Sequence, residues 1–103
     1  METKRIKHTA FFNLKYPVDS PETERFLQDG KEILSDIPVV NQFEVLRQVS
    51  PKSEYDFGFS MEFNSQADYD AYNSHQSHQE FVENRGKVEV VKFQEIDCLT
   101  LDQ

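Results

Sequence analysis

In Tyr55-Asp56-Phe57-Gly58-Phe59-Ser60-Met61-Glu62-Phe63, every odd position is large and apolar and every even position is small or polar. Side chains alternate faces along a β-strand, so this period of two predicts a strand with a row of aromatics on one face. That face is suited to packing under helices, and the other to water or to a partner sheet. Upstream, Ser50-Pro51-Lys52-Ser53 is a turn. It follows a second strand over about Gln42 to Val49, in which Phe43, Val45 and Val49 alternate with Glu44, Leu46 and Gln48, and Arg47 interrupts the apolar side. Further back, Ser20-Pro21-Glu22 places a hydroxyl N-cap before a proline at the first helical position. Phe26, Leu27, Gly30, Ile33, Leu34 and Ile37 then recur at helical spacing until Pro38 ends the run. A first strand spans Ile6 to Leu14, with His8 on its more apolar face together with Ile6, Ala10, Phe12 and Leu14.

Downstream, Asn64-Ser65 followed by Asp68 is a second helix start, close to a capping box. The helix carries Tyr69, Tyr72, His75, His78 and Phe81/Val82 to Arg85-Gly86, with a kink invited at Asn73-Ser74 and Gly86 as its stop. A last strand, Val88 to Leu99, has charges on both faces, which leaves its register weakly specified. The order strand, helix, strand, strand, helix, strand predicts an α+β, ferredoxin-like βαββαβ fold, an antiparallel sheet with both helices on one face. Residues 1–103 read as one domain, without repeats or long linkers. The opposite face, bearing Thr9, Phe11, Leu46, Gly58 and Ser60, would meet a second copy in a homodimer.

A hydrophobic content of 37% makes a thin core for a monomer of this size, which also favours a dimer. The net charge of −8 repels phosphate backbones and anionic headgroups, arguing against nucleic acid and membrane surfaces as partners. A small, partly apolar or aromatic ligand fits better. The one cysteine, Cys98, excludes an internal disulfide framework and a Cys-based zinc site, and reads as a small packing residue. With no apolar run at its start and none near the roughly 20 residues of a membrane span, the chain is expected in the cytoplasm.

These features resemble the stress-responsive A/B barrel domain (Dabb) family of the dimeric α+β barrel superfamily. The resemblance spans most of the chain. It rests on Lys7-His8, on the proline after the first helix, on the aromatic strand, and above all on Tyr72-x-x-His75-x-x-His78-x-x-Phe81. The chain departs from the family where a histidine-proline pair becomes His75-Gln76, and the segment after Phe81 is short. The resemblance implies a homodimer whose two sheets close into a barrel, with a cleft in each subunit between sheet and helices. Its members include cofactor-free polyketide cyclases using a pocket Tyr and His, stress-linked proteins and proteins of no known activity; the superfamily adds monooxygenases and heme-binding enzymes.

Ring closure without a cofactor needs a base near neutral pH and a donor to hold an enolate oxygen. Tyr72 and His78 are the catalytic candidates: a phenol stays protonated and donates, and an imidazole accepts the proton. His8 joins them as a group able to orient either one. The competing reading is that Tyr72 and His78 cap the core with their polar tips satisfied. His75 reads as a structural element of the helix bend, and Phe81 and Val82 as core. No zinc-type spacing completes a metal set with His75, His78, Glu80 and His8, and nothing selects a heme ligand, so no cofactor and no metal are expected. A stress-linked structural or ligand-storage dimer without chemistry, and a cofactor-free monooxygenase or heme-binding relative, stand as alternatives to a cyclase or isomerase acting on a carbonyl or polyketide-like compound.

Overall fold

The computed structural model describes residues 4–101; residues 1–3 and 102–103, assigned above to the same domain, lie outside them. Strand β1 (Ile6–Leu14) has the predicted span, and helix α1 (Pro21–Ser35) starts at the predicted cap, where Ser20 Oγ accepts from Thr23 N at 3.2 Å. Strands β2 (Asn41–Arg47) and β3 (Phe57–Phe63) follow. β2 stops two residues short of expectation, and Val49 is 86% exposed beyond it. Gln42 has a left-handed φ of 54° at a bulge between Asn41 and Glu44, which shifts the register. Arg47, the exception on the apolar side, lies over the Phe57 ring at 5.2 Å, a cation–π contact that leaves its charge near the surface.

Helix α2 (Gln66–Ser74) begins at the predicted Ser65 cap, whose Oγ accepts from Asp68 N at 3.1 Å. The rest of the expected single helix is three pieces: α3 (Gln76–Phe81), a π-helical turn (Val82–Gly86) and α4 (Lys87–Glu89). Gly86 is therefore not a stop. Its φ of −60° is ordinary helix, and Val88, expected in the last strand, is helical. The wide turn is clamped by Arg85, which pairs with Asp29 of α1 at 2.7 Å and with buried Glu89. Tyr16 donates to Glu89 at 2.9 Å, tying the segment to the end of β1.

β4 (Val90–Leu99) completes an antiparallel sheet in the order β2-β3-β1-β4. Cross-strand partners share a face, so the pairs Ile6–Phe63, His8–Met61, Ala10–Phe59 and Phe12–Phe57 build the inner one. Phe26 of α1 packs on Phe12 and Phe59, Phe81 of α3 on Phe26, and Tyr72 of α2 on Phe63. All helices thus cover one face, the predicted ferredoxin-like plan. Thr9–Ser60, Phe11–Gly58 and Leu46–Gly58 pair on the other face, as expected, with the Phe11 ring over Gly58. Cys98 is exposed rather than a packing residue.

Candidate functional site

Tyr72 reaches the site from the last turn of α2, buried with its ring 5.0 Å from that of Phe63. Two residues on, after Ser74, the helix breaks without proline. His75 adopts extended backbone (φ −67°, ψ 138°), its N–H returns to Tyr72 O at 3.1 Å, and its Nδ1 accepts from Ser77 N at 3.1 Å. An imidazole thus ends one helix and caps the next, the structural part expected of it. The restart brings His78 back onto Tyr72, with ring centroids 4.3 Å apart.

Each member of the pair is held in one protonation form. Burial, then the nearby Tyr69 and Glu95, raises the Tyr72 phenol well above its usual value, so it remains a donor. Burial lowers His78 below 6.5, against the hydrogen bond to Asn73, so the ring is neutral at pH 7. Since a carbonyl only accepts, Nδ1 of His78 donates to Asn73 O at 3.3 Å, and Nε2 keeps the lone pair.

His8 faces the helices, 4% exposed, but its hydrogen bonds go elsewhere than to Tyr72 or His78. Nδ1 meets Asp97 Oδ1 at 2.5 Å and the Tyr69 hydroxyl at 3.3 Å; Tyr69 also donates to Asp97 Oδ2 at 2.8 Å. Its ring lies 6.1 Å from that of Tyr72, a neighbour in packing. The expected orienting role is thereby corrected: β4 supplies a carboxylate directly opposite His8, and a charge-assisted bond displaces weaker alternatives. Tyr69, with its phenol pushed up to about 12 by burial and then by Asp97, completes the cluster. Asp97, Glu95 and Tyr69 were missed as site residues. The alternation Phe93, Glu95, Asp97 was available as a signal, once paired with Phe12, Ala10 and His8.

Tyr72, His78, His8 and Glu95, but not Asp97, Tyr69 or His75, border a cavity of about 320 Å³ between sheet and helices. Its floor includes Ala10, a single methyl between His8 and Phe12 where a larger residue would fill the space. Tyr72, His78, His8 and Glu95 supply polar groups to walls that are otherwise mostly aromatic and aliphatic. Val82 lines the cavity too, 38% exposed rather than in the core. Among the described residues, no group of three or more His, Cys, Asp or Glu is arranged to hold a metal ion. None of the described helices is long and apolar enough to cross a membrane.

Among solved structures, a Dabb family protein with a ferredoxin-like fold from Mesorhizobium loti is 52% identical, with 96% of this chain and 99% of that one covered and a TM-score of 0.93. The hydroxynitrile lyase of Passiflora edulis shares the fold at 12% identity, 99% and 98% coverage and a TM-score of 0.84. A dimeric ferredoxin-like protein of unknown function from Thermobifida fusca does so at 15% identity, 96% and 93% coverage and a TM-score of 0.77. No protein of curated function matches the chain. The family model for the stress responsive A/B barrel domain matches residues 6–98, and with the Mesorhizobium relative this establishes the chain as a member of the Dabb family.

Proposed function

We propose that this protein is a cofactor-free acid–base enzyme acting on a small carbonyl compound, with Tyr72 and His78 as its catalytic pair. One observation carries the reading: a phenol kept protonated and an imidazole kept neutral pack together, ring centroids 4.3 Å apart, on the wall of one apolar cavity. Burial favours the uncharged form of both rings, which leaves a proton donor and a proton acceptor side by side. His78 Nε2 takes a proton from the carbon next to the carbonyl, and the Tyr72 hydroxyl donates to the enolate oxygen that forms. The enolate carbon either attacks a second carbonyl of the same molecule, closing a ring, or is reprotonated at a different position. In both cases the imidazolium returns its proton. His8, fixed by Asp97, packs beside Tyr72 with ring centroids 6.1 Å apart. About 320 Å³ is at the low end of the roughly 300–1,000 Å³ of small-molecule sites, favouring a compact substrate.

Run in reverse, the same base and donor would cleave a carbon–carbon bond, a second reading favoured by the shared fold of the passion-fruit lyase. The proposal includes a homodimer joined through the outer sheet face. It is supported by the half-buried Phe11, Leu46 and Thr9 there and by the relative from Thermobifida fusca described as dimeric. It places one domain over residues 1–103 in the cytoplasm, where the free, exposed Cys98 would remain reduced.

Deuterium exchange into the methyl group of acetophenone, followed by NMR, tests proton abstraction directly. Wild type should accelerate exchange. His78→Ala should lose about 10²–10⁴-fold and Tyr72→Phe about 10²–10³-fold. Exchange at equal rates in all three would refute the pair; binding without exchange would favour a storage role.

A further inference from the structure

Glu95 stands directly across from Ala10, so its side chain leaves the inner face of β4 and enters the cavity wall. Asp97, its neighbour on that face, has both oxygens engaged, one by His8 and one by Tyr69. Glu95 does not: its approach to His8 Nε2, at 3.9 Å, is an ion-pair distance too long for a hydrogen bond. His8 therefore has a carboxylate at each ring nitrogen, and neither nitrogen is free for an anionic ligand. Lys87, which also lines the cavity, has its Nζ 2.9 Å from Glu83.

We infer that the cavity selects uncharged substrates bearing a hydroxyl, enol or phenol donor beside the carbonyl, and that Glu95 imposes this choice. The inference rests on the small-molecule reading of the cavity and names the class that the site takes. A ligand hydroxyl supplies the hydrogen that the Glu95 carboxylate lacks, and the ligand carbonyl takes the one Tyr72 offers. A ligand carboxylate meets a like charge with no free counter-charge in reach, which is how repulsion builds specificity.

The test is binding of two probes of nearly equal shape, 3-hydroxybenzamide and 3-hydroxybenzoate, to the intact protein by calorimetry. Wild type should bind the amide at least about tenfold more tightly, a modest value because Glu95 is half exposed and solvent screens it. In Glu95→Gln the preference should collapse to about twofold or less, chiefly through tighter binding of the benzoate. Glu32→Gln, which removes the same charge from an exposed position on α1, should leave the preference unchanged. Equal affinities in wild type, an unaltered ratio in Glu95→Gln, an equal shift in Glu32→Gln, or no binding of either probe would each overturn the inference. The readout needs no turnover. Failure of the Tyr72–His78 chemistry would leave this ratio intact, and failure of the charge filter would leave acetophenone exchange intact.

Discussion

Replacing Gly30 by alanine should lower stability slightly and shrink the cavity. Gly30 is the point of closest approach of α1 to the sheet: a Cβ there would lie 2.5 Å from Phe59 Cζ, 2.7 Å from Cε2 and 3.2 Å from Phe81 Cζ. Carbon atoms in contact stay about 3.5–4.0 Å apart, so the Phe59 ring must move by about 1 Å. Phe12, Phe26 and Phe43 hold it on several sides, with ring centroids 4.9, 6.2 and 5.4 Å away. The open direction is toward the cavity that Phe59 and Phe81 both line. Overpacking of this kind costs about 1–3 kcal/mol, offset by about 1 kcal/mol because alanine favours a helix interior over glycine. The net loss is about 1 kcal/mol, or about 4–8 °C in Tm for a domain of this size. Thermal unfolding by circular dichroism reads the first effect, and the affinity for 3-hydroxybenzamide, expected to weaken, reads the second. A rise in Tm with unchanged affinity would mean that α1 does not press on Phe59 as described.

Activity should fall on the acid side with a midpoint below pH 6.5 and stay level through neutrality, because burial lowers His78. The unfolded chain takes up this proton first, so the stability from the neutral ring is present above 6.5 and declines as pH falls below it; a kcat/KM profile with its midpoint above 6.5 would contradict the assignment. Asp97→Asn should bring the Tyr69 phenol down from about 12, read by tyrosinate absorbance, since Asp97 is the second cause of its rise after burial. Asp97 is partly exposed, so the stability loss should be only about 0.5–1 kcal/mol. Arg85→Met should cost about 1–3 kcal/mol in urea unfolding because it strands the buried Glu89 carboxylate. Adding Glu89→Gln should recover part of that loss, and a single variant within about 0.5 kcal/mol of wild type would refute the clamp.

What could be read from the chain tracks how locally each feature is specified. Ser20-Pro21 and Ser65 through Asp68 carry their own helix starts in adjacent atoms, and the Tyr55–Phe63 alternation needs no partner to be recognised. Tyr72 and His78 were legible because helical spacing survives the break at His75. Gly86 misled because its helical conformation depends on the Arg85 clamp, whose partner Asp29 is 56 residues away. Asp97 and Glu95 were hidden for a similar reason. β4 has charges on both faces, so only its pairing with β1 decides which of them turn inward.

The methyl group of Ala10 has a meaning beyond the space it leaves. A valine there could bury two more carbons among existing aromatics, a gain of ~1.6 kcal/mol at about 0.8 per carbon. A domain of this kind has only about 5–15 kcal/mol in total. Filling the floor at this one position could therefore strengthen the fold. Ala10 leaves that increment of stability unused, as natural chains commonly do, and in this protein the unused increment is the open floor of the cavity.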